Sequence, residues 1–99
     1  MTEFIQQFET RTENPDGAAY VARVYGKPRK DGTWVGWLEF EPANDVGQTL
    51  VTDQETSQPN RKTLEYWASG LEPIYLDGAL ARAQPKLQHS KLHALANND

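Results

Sequence analysis

His89 and His93 stand four residues apart, the spacing that aligns two imidazoles on one helix face for a shared metal ion. Ser90-Lys91-Leu92 lie between them, so the intervening glutamate of a helical zinc-hydrolase motif is missing, and no third ligand is indicated. A solvated tail is the simpler reading of the pair. Asp53 and Glu55 form a carboxylate pair that acid–base chemistry could use. No histidine or nucleophile is close to them in sequence. Acidic residues ahead of a helix also complement its dipole with no chemistry at all. Ser57, Ser69 and Ser90 lack an elbow motif or a partner set for nucleophilic catalysis. There is no cysteine, which removes disulfides and thiolate chemistry. The expectation is a non-enzyme with no cofactor and no metal.

The aromatic residues offer binding rather than catalysis. Trp34 and Trp37 lie in Thr33-Trp34-Val35-Gly36-Trp37-Leu38-Glu39-Phe40, a stretch rich in aromatic and branched side chains that reads as a β-strand. Strand side chains alternate faces, so an odd separation puts the two indoles on opposite sides of the sheet. Even positions (Phe4, Phe8, Tyr20, Ala22, Val24, Trp34, Leu38, Phe40) read as the buried face. Odd positions (Ile5, Glu9, Arg11, Val21, Arg23, Tyr25, Val35, Trp37, Glu39, Glu41) read as the open face, because an unpaired buried carboxylate is costly. Trp34 is then expected in the core, between sheet and helices, and Trp37 on the opposite surface.

That surface supports three readings. Aromatic platforms beside basic groups bind single-stranded nucleic acid, each stacked base contributing about 1–3 kcal/mol. The same residues also make cross-strand pairs, Arg23 with Glu39 or Glu9 and Arg11 with Glu41. Trp, Tyr and Arg are also the residues that dominate protein interfaces. The acidic residues match or exceed the basic ones there, which favours a protein contact. The candidate partner-binding residues are Trp37, Tyr25, Arg23 and Val35, with self-association or docking of the C-terminal tail as ways to cover them.

A further candidate lies in the polar run Asp53-Gln54-Glu55-Thr56-Ser57-Gln58-Pro59-Asn60-Arg61-Lys62. It leads into a helix N-terminus, whose free amides can bind an anion; Asn60, Arg61 and Lys62 are the candidate contacts. Helix capping is the simpler role. The basic stretch of residues 26–32 lacks the glycine spacing and following helix of a phosphate loop, and reads as a solvated hairpin tip.

The frame for these residues is one domain. The chain has 99 residues, 37% of them apolar and 24% charged, with a mean hydropathy of -0.76. That size buries a modest core without staples. No run approaches the roughly 20 apolar residues of a membrane helix. The first residues lack a basic stretch leading into an apolar one, so a cytoplasmic location is the expectation. The net charge of -4 argues against general nucleic-acid affinity, which depends on clustered cations.

The elements follow from the pattern. Residues 4–12 read as a strand, turned by Asn14-Pro15-Asp16-Gly17 into a second strand over residues 19–25. Residues 26–32 read as a turn ending in Asp-Gly, and the tryptophan strand runs to about residue 41. A short fourth strand covers residues 48–53. Thr56-Ser57-Gln58-Pro59 then signals a helix start. Leu64, Trp67, Ala68 and Leu71 share one helix face. Gly70 is expected as a left-handed cap. A second helix follows Glu72-Pro73, with Leu76, Ala79, Leu80 and Ala83 inward, and stops at Pro85. Strands followed by helices predict an α+β fold: a four-stranded antiparallel meander with two helices packed on one face. Residues 1–85 form the domain, and 86–99 a polar tail, a frayed helix or a disordered segment.

Residues 31–40 together with Thr52-Asp53-Gln54-Glu55-Thr56-Ser57-Gln58-Pro59 and Leu64-Glu65-Tyr66-Trp67-Ala68-Ser69-Gly70-Leu71-Glu72-Pro73 resemble a group of short bacterial proteins with no known activity. The resemblance spans about residues 20–83 and implies no functional residue. The meander-then-helix order is also similar to the repeat unit of Whirly and PUR-type single-stranded nucleic-acid binders, and to HicB-like antitoxins, without a matching motif. The sequence therefore leads to a small protein-interaction module using the face around Trp37 and Tyr25. Single-stranded nucleic-acid binding on that face, and a small-ligand or anion site at the first helix N-terminus, are the alternatives.

Overall fold

The structure is a computed structural model that describes residues 1–86. The expectations for His89, His93 and the tail of residues 87–99 lie outside the described residues. The fold is α+β as expected, but the antiparallel sheet has seven strands among the described residues rather than four, six before the two helices and one after them. Its spine is a long hairpin. β3 (Ala19–Pro28) pairs with β4 (Trp34–Pro42), from Tyr20 opposite Pro42 to Pro28 opposite Trp34. The strand therefore runs past Gly26 to Pro28, and the turn expected over residues 26–32 shrinks to its second half. There Gly32 adopts φ 91° and donates its N–H to the Arg29 carbonyl at 3.0 Å. A side chain resists that φ, and glycine does not.

The remaining strands are short. β1 (Glu3–Gln7) and β2 (Thr12–Glu13) both pair with β3, so the expected first strand is two pieces. β5 (Leu50–Val51) and β6 (Thr56–Gln58) pair with β4, and β7 (Gln84–Pro85) pairs with β5. The path across the sheet is β1-β3-β4-β5-β7. Residues 56–58, expected at a helix start, are strand because they pair with Trp34–Gly36, leaving the helix to begin three residues later.

α1 (Arg61–Ser69) starts at Asn60. The Asn60 side chain accepts the Thr63 N–H at 2.9 Å, and the Thr63 hydroxyl accepts the Asn60 N–H at 3.3 Å, a reciprocal cap. Gly70 ends the helix at φ -95°, so the expected left-handed cap is absent; its N–H bonds the Trp67 carbonyl at 3.2 Å in a tightened last turn. α2 (Pro73–Arg82) opens on proline, whose missing N–H costs nothing there.

Both helices lie on the even face of the sheet. Ala22, Val24, Leu38 and Phe40 pack against Ala68, Leu76, Ala79 and Leu80, all buried. Leu64, fully buried, fills a socket made by paired glycines: a Cβ on Gly26 would meet a Leu64 methyl at 2.5 Å, and one on Gly36 would meet the other at 2.6 Å.

Two face assignments are corrected. A bulge in β1 shifts the register between Phe4, opposite Tyr25, and Gln6, opposite Val24. The alternation slips there, so Phe4 turns to the open face and is half exposed, while Ile5 joins the core. Trp34 lies on the helix face as expected, but at the strand's end and outside the buried cluster. Arg61 closes it, with the guanidinium carbon 5.5 Å from the ring centroid.

Candidate interaction face

The face away from the helices carries a row of aromatics. Phe4 on β1 lies opposite Tyr25 on β3, and Tyr25 lies opposite Trp37 on β4. Phe4 and Tyr25 meet edge to face with centroids 5.9 Å apart. The pleat makes this possible, because residues in register on neighbouring antiparallel strands share a face. Val35 lies one step along β4 beside the row and is only 5% exposed.

The next row is charged. Gln7, Arg23, Glu39 and Val51 stand in register across β1, β3, β4 and β5. Arg23 forms an ion pair with Glu41 and donates Nε–H to the Gln7 amide oxygen at 2.8 Å. The Glu41 bond holds the Arg23 proton more firmly than usual, although burial works against it. The expected partner Glu39 is taken elsewhere. Its carboxylate accepts from the Lys86 ammonium at 3.0 Å and from the Trp37 indole N–H at 3.2 Å. This corrects the premise that the glutamates here are solvated: Glu41 is, but Glu39 is 8% exposed and tolerates burial because both its oxygens are bonded.

All four candidate partner-binding residues, Trp37, Tyr25, Arg23 and Val35, thus fall on one surface. Glu39 lies there as its odd position predicts, and Phe4, Val51 and Lys86, which were not foreseen, belong to it too. Phe4 was hidden by the bulge. Lys86 follows Pro85 in what reads as tail, yet β7 returns the chain to the sheet and its N–H bonds the Thr49 carbonyl at 2.7 Å.

Asn60, Arg61 and Lys62 do not converge on a common point. The Asn60 side chain is used as the cap. Arg61 bonds Glu3, donates to Glu65 at 2.9 Å and covers Trp34. Lys62 is exposed. Glu55 is likewise engaged, accepting from the Tyr75 hydroxyl and from Arg82, both at 2.5 Å. A groove of about 340 Å³ does open on the molecule, but it lies along Gln6–Thr10 against Leu71, Pro73 and Leu76, away from these residues.

The Glu55 cluster gives a pH expectation. Burial, and then the bond to Glu55, push the Tyr75 hydroxyl up to about 12. Its neutral form is favoured in the fold. That stabilisation is complete below the unfolded tyrosine value of ~10 and is lost as pH rises through the folded value. Denaturant midpoints should therefore fall across this alkaline window, and Tyr75→Phe should flatten the fall. An unchanged slope in the variant would assign the loss to other groups.

No family model, curated protein or solved structure matches the chain.

Proposed function

We propose that this chain is a protein-interaction module whose contact surface is the open sheet face centred on Trp37 and Tyr25. The supporting observation is the aromatic row Phe4–Tyr25–Trp37 beside a row of cations already matched to carboxylates. Aromatics in register form a rigid, amphipathic anchor of the kind that dominates protein interfaces. A nucleic-acid surface would need cations free to meet phosphates. Here Arg23 is held by Glu41 and Gln7, and Lys86 by Glu39, so of the cations that register places on this face only Lys27 is not held among the described residues. The aromatic row still favours single-stranded nucleic acid as the second reading, since bases stack on such platforms.

The two separate experimentally. Wild-type protein and Trp37→Glu are immobilised, and a bound protein partner is expected on the first and not on the second, with equal circular dichroism. Equal retention by both rules the face out. Quenching of tryptophan fluorescence by oligothymidine at low salt, relieved at high salt, decides for nucleic acid instead.

A further inference from the structure

The partner's chemistry can be read from the face, provided the face is a protein contact as proposed above. The β1 and β7 edges, which end the path across the sheet, are poor docking sites. The β1 edge carries the bulge, and Arg61 reaches over it to Glu3, with Nη2 3.4 Å from the Phe4 carbonyl. At the opposite end, β7 carries Pro85. Bulges, covering charges and prolines all discourage strand addition. That favours association through the face.

Its charges cancel. Among the charged residues that strand register places, Arg23 and Lys27 belong to it, and Lys86 reaches it; against these three stand the carboxylates of Glu13, Glu39 and Glu41. Three positive and three negative groups give a neutral face on a chain of net charge -4. A strongly acidic or strongly basic partner gains little from such a surface. A partner with the same mixture gains more, because the mixture is ordered. Along β3 and β4 the rows run Lys27/Val35, Tyr25/Trp37, Arg23/Glu39, Val21/Glu41, with Glu13 beyond. One end is basic and the other acidic.

We propose that the occupant is a second copy of this chain, packed face to face with its strands reversed about a two-fold axis between the aromatic row and the Arg23/Glu39 row. That axis exchanges first row with fourth and second with third. Tyr25 of each copy then covers Arg23 of the other, a cation–π contact. Lys27 of each copy falls beside Glu41 of the other, one strand over and within a lysine's reach. The self-complementary patch is what an isologous dimer requires, and two sheets packed this way form a sandwich.

The test uses the full chain. Lys27→Glu and Glu41→Lys change exposed positions; the second also removes the Arg23 ion pair, so Lys27→Glu is the cleaner single variant. Sedimentation equilibrium is run from micromolar to millimolar concentration on wild type, each variant and their equal mixture. A wild-type dimer is expected, with dissociation constants at least about tenfold higher for each variant alone, since like charges then face each other. The mixture should recover dimer, because the carboxylate introduced at position 27 of one chain then faces the ammonium introduced at position 41 of the other. A mixture no tighter than the single variants overturns the reversed arrangement.

A single-chain mass for wild type at millimolar concentration overturns the second copy, and Trp37, read as the difference in quenching between wild type and Trp37→Phe, reports why. If it is shielded from acrylamide, residues 87–99 of the same chain are the occupant. If it is accessible and no oligonucleotide quenches it, the contact is with a different protein. If oligothymidine quenches it in a salt-dependent way, the protein reading of the face itself fails.

Discussion

Leu64→Ala should remove about 3–4 kcal/mol of stability, the cost of a buried leucine whose site collapses poorly. Leu64 is fully buried, and its two methyls sit over the paired glycines 26 and 36. Those glycines have no side chains with which to close the void. The reverse substitutions overpack the same socket, at about 1–3 kcal/mol each. They should behave differently in combination. A Cβ on Gly36 meets chiefly a Leu64 methyl, at 2.6 Å, and the Thr56 methyl at 3.2 Å. With Leu64 shortened, that Cβ fills part of the hole, so Gly36→Ala/Leu64→Ala should cost clearly less than the two losses added. A Cβ on Gly26 also meets the Val35 carbonyl oxygen at 2.9 Å, which is backbone and does not yield. Gly26→Ala should therefore stay costly whether or not Leu64 is present. Urea denaturation of the single and double variants gives the coupling directly. Additive costs for the Gly36 pair would mean that Leu64 does not occupy this socket.

The socket also marks how far the sequence is legible. The α+β class, the helix positions and the parity of β3 and β4 follow from local signals: alternation, an Asn-Pro-Asp-Gly turn and a helical stripe. Those signals place Trp37, Tyr25, Arg23 and Val35 on one face, where the structure has them. What is lost depends on partners distant in sequence. Gly26 looks like the start of a turn until Gly36 pairs with it and Leu64 caps both. Thr56-Ser57-Gln58 looks like a helix cap until it meets β4. Phe4 and Ile5 look like opposite faces of a regular strand, and they are, but a bulge decides which is which. Bulges and two-residue strands are fixed by the neighbouring strand, so a single run of residues does not announce them.

The charged row carries the second large expectation. Lys86→Ala should cost about 1–2 kcal/mol, because it leaves the Glu39 carboxylate buried with the Trp37 indole as its remaining hydrogen-bond donor among the described residues. Breaking a fully buried ion pair costs about 3–5 kcal/mol. The lysine here is more than half exposed, so water partly compensates, and the smaller figure applies. Glu39→Gln should cost less than Lys86→Ala. The amide oxygen still accepts a hydrogen bond, and no charge is left stranded. The double variant should then be more stable than Lys86→Ala alone, since the second change removes the group that the first one orphaned. That order, with the double variant recovering, separates a desolvated carboxylate from a simple loss of contact, for which the two costs would add. Equal or additive losses in urea would show that Glu39 is hydrated in solution. Trp37 emission, read as the difference from a Trp37→Phe background, gives an independent check, because its N–H donates to this carboxylate. A stranded Glu39 that turns toward water withdraws from the indole and leaves it free to move. The same residue anchors the proposed contact, so Lys86→Ala should also weaken self-association, although Lys86 lies outside the aromatic row. The ion pair would then act on binding by holding Trp37 in place before a partner arrives.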